Sequence, residues 1–223
     1  MRVFVHGFGQ TPMASWERVA RALPDEARLP NVGGDGDFVT AAHGLDHGPA
    51  EYVGYSMGGR LCLQLALDRP GIVERLVLVS GSPGITGEAE RAARRDADEQ
   101  LARQVEREGV DAFLERWITQ PLFGTLSREL SGIDDRKASY TVDMLTHQLR
   151  DLGQGSQPDN WSRLGELPMP VLVIAGALDR KYVDIARRMG EAIPNARIEI
   201  IGDAGHACHL ERADEVAHVL ATW

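Results

Sequence analysis

Apolar residues fall into two kinds of stretch that alternate along the chain. Val3-Phe4-Val5, Leu76-Val77-Leu78-Val79 and Val171-Leu172-Val173-Ile174-Ala175 are unbroken apolar runs, the pattern of parallel strands covered on both faces. Arg197-Ile198-Glu199-Ile200-Ile201 alternates at its start and reads as a strand nearer a sheet edge. Shorter strand-like stretches lie at 27–29 and 51–53. Helical patterns separate them at 13–22, 58–68, 182–192 and 212–222, with Ser15 placed as a cap before Trp16, Val19 and Ala20. The segment from Pro30 to Gly48 is rich in Gly, Asp and His and reads mostly as loop. Strands alternating with helices imply an α/β fold: a mostly parallel sheet of about six strands, with helices on both faces.

One stretch breaks the alternation. From Gly87 to about Gly153 no strand is legible. Residues 88–108 are dense in Arg, Glu, Asp and Ala; Val110, Phe113, Leu114, Trp117 and Ile118 then recur at helical spacing, and 138–150 is also helical in pattern. The expected organisation is a core of residues 1–86 and 154–223 with a helical cap of 87–153 over the strands' C-terminal ends, where open α/β sheets bind ligands.

The candidate chemistry sits at those ends. Gly54-Tyr55-Ser56-Met57-Gly58 is a G-x-S-x-G turn with a strand-like stretch before it and a helical one after it. Such a turn strains the serine and projects its hydroxyl above the sheet, facing the helix N-terminus. A neutral hydroxyl is a weak nucleophile and needs an imidazole to take its proton, oriented by a carboxylate. Asp179, in the loop after 171–175, and His206, in the loop after 197–201, follow Ser56 in the order Ser, acid, His. Their separation of 27 residues holds one helix and one strand. Asp203 is a fallback acid, Asp184 falls within a helix, and His209 faces the cap or a helix start. The oxyanion hole is expected from the backbone N–H of Met57 and of Phe8, in the turn His6-Gly7-Phe8-Gly9, where His6 reads as a structural turn residue.

Composition narrows the partners. The 223 residues suit one domain or a core with an insertion, and the formal charge of −9 disfavours nucleic acid and anionic membranes. Cys62 and Cys208 lie far apart and suggest neither a disulfide framework nor a zinc site, and the remaining histidines show no metal-ligand spacing. Met1-Arg2-Val3-Phe4-Val5 runs directly into a Gly turn without a signal peptide, and no apolar run approaches membrane-spanning length, so a cytoplasmic protein is expected.

On these motifs the chain resembles the α/β-hydrolase superfamily. Within it, the chain is similar to the 2-succinyl-6-hydroxy-2,4-cyclohexadiene-1-carboxylate synthases of menaquinone biosynthesis. The selective stretches lie mostly in the insertion: Arg116-Trp117-Ile118-Thr119-Gln120-Pro121-Leu122-Phe123 and Leu149 to Pro158, besides Gly59-Arg60 after the serine turn and Ser80-Gly81-Ser82-Pro83-Gly84. The resemblance implies an α/β-hydrolase fold whose triad serves not hydrolysis but elimination of pyruvate from a small polycarboxylate, without cofactor. It implies Arg60, Tyr55, Trp117 and Arg136 as substrate-binding residues, with Arg94 or Arg95 a further cation; Arg91, Arg94 and Arg103 otherwise read as a solvated helix face. It also implies a sheet lacking the two N-terminal strands common in the superfamily. A carboxylesterase or related serine hydrolase acting on a small ester or thioester rests on the same triad. Serine as base and serine as nucleophile both remain open, as does oligomeric state.

Overall fold

The structure, a computed structural model, describes residues 1–33 and 36–223. Six strands form one parallel sheet: β1 (Arg2–Val5), β2 (Ala27–Arg28), β3 (Ala50–Tyr55), β4 (Val73–Val79), β5 (Val171–Gly176) and β6 (Ala196–Ile201), in the order β2-β1-β3-β4-β5-β6. From β1 the chain runs outward to β2, then crosses back to place β3 on the other flank of β1. That reversal opens a crevice between the C-terminal ends of β1 and β3.

The helices divide between the two faces. Trp16 and Val19 of α1 (Pro12–Arg21) share one apolar cluster with Val216 and Leu220 of α9 (Ala213–Thr222). α2 (Phe38–His43), α3 (Met57–Asp68) and α7 (Arg180–Ala192) contribute to the cluster on the other face. Both faces of the sheet's centre are therefore covered, which is why 76–79 of β4 and 171–175 of β5 are unbroken apolar runs. β6 and the two-residue β2 are the edge strands and are only partly buried.

Several boundaries differ from the sequence reading. Thr11, not Ser15, caps α1: its side chain accepts from Ala14 N–H, and Pro12 occupies the first turn, where a missing N–H costs nothing. Ser15 instead faces inward, against Gln10 and His209. The expected loop from Pro30 to Gly48 contains α2, capped by Asp37, whose carboxylate accepts from Thr40 N–H at 2.8 Å. A helix of six residues is too short to show periodicity. Gly34 and Asp35, within that same expected loop, lie outside the described residues.

Between β4 and β5 the chain forms α4 (Glu88–Trp117), α5 (Ile133–Ser139) and α6 (Val142–Arg150). The single helix expected over 138–150 is two, parted at Tyr140, where Thr141 caps α6. α4 turns sharply at Gly109, whose φ of +77° suits a residue without a Cβ. These helices enclose their own apolar cluster around Ala102, Phe113, Leu114, Leu145 and Leu149, with Phe8 of the core packed against it. After α7 and β6, the chain closes with α8 (Cys208–Glu211) and α9.

The serine turn is held by backbone contact. A Cβ on Gly58 would stand 2.6 Å from His6 O and closer still to Val5 O; one on Gly54 would stand 2.5 Å from Gly58 O. Gly58→Ala is expected to cost about 2–3 kcal/mol, since only backbone could give way. Gly71→Ala, where nothing lies within 4 Å, should stay within about 0.5 kcal/mol of the parent. Chemical denaturation midpoints of the two variants check the contrast.

Candidate active site

Ser56 sits between β3 and α3 with φ 50° and ψ −107°, a strained conformation for a residue with a side chain. Its N–H is held by Val79 O at 2.8 Å, anchoring the turn on the neighbouring strand. His206 Nε2 lies 3.1 Å from Ser56 Oγ, and His206 Nδ1 lies 2.7 Å from Asp179 Oδ2. With Nδ1–H donating to the carboxylate, Nε2 is left as the acceptor facing the hydroxyl. Asp179 is fixed in turn as the cap of α7, its Oδ1 accepting from Tyr182 N–H at 3.3 Å. Ser80, itself at φ 49°, donates from Oγ to His206 O at 2.8 Å and so holds the loop that carries the imidazole. The three groups come from the ends of β3, β5 and β6.

The rival residues stand elsewhere. Asp203 is exposed at the corner of the turn after β6. Asp184 is exposed on α7 beside Arg187. His209 is fully buried, with Nε2 3.1 Å from Ser15 Oγ and its ring against Tyr55 and Trp16, and burial drives its pKa well down.

Phe8 and Met57 both line the cavity at Ser56. Met57 opens α3, so its N–H has no acceptor within the helix. The turn carrying Phe8 is braced on every side. Gly7 N–H donates to Gln10 Oε1 at 3.2 Å and Gly9 N–H donates to Gln148 Oε1 at 3.0 Å. His6 accepts from Val32 N–H through Nε2 at 2.9 Å and contacts Gly7 O through Nδ1 at 2.8 Å. It is a structural residue, its pKa lowered by burial to about 4.

Four substrate-binding residues implied by the resemblance reach the same cavity: Tyr55, Arg60, Trp117 and Arg136. Tyr55 forms the wall between His206 and His209, with ring centroids 5.5 and 4.0 Å away. The Trp117 ring packs on Phe8 at 4.7 Å, and its Nε1–H is buried with no acceptor. Among the described residues Arg60, 6 % exposed, meets Gln157 Oε1 at 3.5 Å and the Phe38 ring, and Arg136, 2 % exposed, has a buried Nε without a partner. Neither forms an ion pair among the described residues, and burial lowers both guanidinium pKa values to about 10. They remain cations at neutral pH, and a buried cation without a counter-charge is costly.

Arg94 corrects the expectation of a solvated face. It lines the cavity, paired to Asp98 at 2.9 Å and to Gln154 Oε1 at 2.6 Å. Arg95, Arg91 and Arg103 do not line it; they pair with Glu88 or Glu99. Asp98, Gln148, Gln154 and Tyr182 also form the wall and were missed from sequence. Only Asp98 left a usable signal there, being four residues after Arg94 on a helix. Burial pushes the Asp98 carboxyl up, while Arg94 and, more weakly, the nearby Gly155 N–H pull it down. Among the described residues no group of three or more His, Cys, Asp or Glu is arranged to hold a metal ion, and no helix is long and apolar enough to cross a membrane.

The chain is similar to known proteins. The family model described as the alpha/beta hydrolase family matches residues 3–219. A Bacillus subtilis (strain 168) protein named "Putative 2-succinyl-6-hydroxy-2,4-cyclohexadiene-1-carboxylate synthase" is 39 % identical over 164 residues, 72 % of this chain but only 60 % of the relative's own length. The 2-succinyl-6-hydroxy-2,4-cyclohexadiene-1-carboxylate synthase of Enterobacter sp. (strain 638) is 29 % identical over 236 residues, 98 % of this chain and 89 % of the relative. The structure of MenH from S. aureus superposes with a TM-score of 0.89 at 31 % identity, covering 99 % of this chain and 91 % of that one.

The buried neutral His6 makes stability depend on pH. Its folded pKa of about 4 lies below the ordinary 6.5, so the unfolded chain binds the proton more readily. The stability at stake is complete above pH 6.5 and is lost as pH falls toward 4, about 3 kcal/mol for a shift of this size. Denaturation free energies between pH 7 and 4 should show that slope together with the one from buried His209, and His6→Gln should reduce it without abolishing it.

Proposed function

The chain belongs to the alpha/beta hydrolase family, and we propose that it catalyses the reaction for which its synthase relatives are named. In that reaction pyruvate is eliminated from 2-succinyl-5-enolpyruvyl-6-hydroxy-3-cyclohexene-1-carboxylate to give 2-succinyl-6-hydroxy-2,4-cyclohexadiene-1-carboxylate. The observation that carries the reading is a pair of buried, ion-pair-free arginines, Arg60 and Arg136, facing the same cavity as the serine. Esters without charge have no use for such cations. The substrate carries three carboxylates, on the ring, the succinyl arm and the enolpyruvyl arm, and Arg94 supplies a third guanidinium.

The chemistry follows from the substrate's own connectivity. The ring C2–H lies beside the succinyl ketone and is the acidic proton. Ser56 Oγ takes it while passing its own proton to His206 Nε2, and Asp179 stabilises the imidazolium that results. The released electron pair forms C2=C3, the C3=C4 pair moves to C4=C5, and the C5–O bond breaks. The leaving group is the enolate of pyruvate, which gains a proton on its methylene carbon. The N–H groups of Met57 and Phe8 receive the negative charge that builds on the succinyl oxygen. The strained serine turn supports this role, because it aims Oγ and the α3 N-terminus at one point.

Residues 87–153 act as a cap over the core of 1–86 and 154–223 in this reading. Trp117 and Arg136 reach the cavity from that segment, Tyr55 and Arg60 from the core. The protein would act on a small polycarboxylate, with no nucleic-acid or membrane partner, in the cytoplasm.

Pyruvate release, read through coupled lactate dehydrogenase with the intermediate made in place, tests the reading. Release well above spontaneous elimination, lost by orders of magnitude in Ser56→Ala, is expected. Release no faster than background, with turnover of short acyl esters, would transfer the triad to a serine esterase. Arg60→Ala and Arg136→Ala should each lower kcat/KM about 10- to 100-fold, the range for losing a charged hydrogen bond. Steady-state kinetics of the two variants measure it.

A further inference from the structure

Resting on the reaction above, we propose that Tyr182 is a further substrate-binding residue, its phenol O–H donating a hydrogen bond to a substrate carboxylate held beside Arg60 and Arg94. Tyr182 lies in the first turn of α7 and is 7 % exposed. It lines the serine cavity, whereas its helix neighbours Lys181 and Asp184 line a separate cavity beside it. Its ring stands edge-on to the His206 imidazole, with centroids 4.5 Å apart.

The direction of the neighbouring hydrogen bonds leaves the phenol with a hydrogen to give. Arg94 Nη1 donates to Gln154 Oε1 at 2.6 Å, and because a guanidinium only donates, the carbonyl end of the Gln154 amide must face it. The amide nitrogen then faces Tyr182 and donates to Oη at 3.0 Å. Tyr182 is the acceptor in that bond, so its own hydrogen is directed elsewhere, and no acceptor for it lies among the described residues. Burial raises its pKa by more than Arg60 and Arg94 lower it, so the phenol keeps that hydrogen at neutral pH. Both arginines stand near enough for their charge to act on the phenol. The Arg60 guanidinium has one hydrogen bond among the described residues, the long one to Gln157 Oε1 at 3.5 Å. A buried donor without an acceptor is costly. Where that donor lies beside two cations, an anion meets all three, and the proposed substrate brings three carboxylates.

Tyr182→Phe tests this, because it removes the hydroxyl alone: the ring keeps its place against His206, and the backbone N–H stays with Asp179. A carboxylate keeps its charge through the elimination, so a hydrogen bond to it is as strong in the bound substrate as in the transition state. The loss should therefore fall on KM, with kcat/KM for pyruvate release about tenfold lower and kcat within about threefold of wild type. A hydroxyl that only props Gln154, and through it Arg94, would lose its effect once Gln154 is gone. In a Gln154→Ala background, Tyr182→Phe should still lower kcat/KM at least about fivefold. Disappearance of the effect in that background makes Tyr182 a support for its neighbour and overturns the assignment. So does a Tyr182→Phe protein within about twofold of wild type in kcat/KM. A fall confined to kcat overturns it as well, since that would mark a disturbed His206. If Gln154→Ala does not fold, the division of the Tyr182→Phe loss between KM and kcat decides alone. No pyruvate release by the wild type overturns the reaction itself, and the assignment with it.

Discussion

The contact of Gly58 with the carbonyls of Val5 and His6 sets the geometry on which the site depends. Two backbones meet there at a distance that excludes even one methyl group. The contact brings the start of α3 against the turn that leaves β1, at the reversal of strand order. Met57 at the start of the helix, Phe8 and Ser56 consequently line one cavity. The parallel sheet supplies the rest, since the ends of β5 and β6 carry Asp179 and His206 up to the same edge. Hydrophobic burial holds the layers together, but close packing without side chains positions the donors.

Electrostatics runs against the molecule as a whole. The chain carries a formal charge of −9, yet the cavity gathers Arg60, Arg94 and Arg136 against a single wall carboxylate, Asp98. Elsewhere arginines are neutralised on the surface, as Arg150 is by Glu99 and Glu106. Inside, Arg60 and Arg136 have no counter-ion among the described residues, and both are almost wholly out of water. Such a cavity discriminates by charge before it discriminates by shape, because a neutral ligand leaves the desolvation of both cations uncompensated.

Legibility in the sequence followed the length and regularity of each signal. The three apolar strand runs and the G-x-S-x-G turn are local patterns, and the structure has strands and a strand-to-helix turn at those places. The order Ser, acid, His is a constraint of topology, so Asp179 and His206 could be picked out 27 residues apart, and the structure brings both to Ser56. Short or composite features were hidden. α2 has too few residues to show a period, and Ser15 has a capping residue's chemistry but spends it on Gln10. Arg94 resembles its neighbours on a highly charged helix; only the fold of α4 over the sheet separates it from Arg91 and Arg103. The wall glutamines are defined by what they touch across tens of residues, which no local pattern encodes, whereas Asp98 at least shows its pairing four residues after Arg94.

The bracing of the β1 turn by the inserted helices ties two equilibria together. Gln148 of α6 accepts from Gly9 N–H and donates to Val32 O, while Tyr140 donates to Gln10 O, so the turn and the helices above it are one hydrogen-bonded unit. If α6 lifts, the turn loses the partners that hold its conformation; when α6 seats, it restores them. Access to the cavity and readiness of the donors within it are then the same variable rather than two. By reciprocity, a ligand that binds better with the helices seated favours seating by as much as seating favours the ligand. On the function proposed above, such coupling would set the donors only while the helices are seated, and the ring would then meet them away from bulk water.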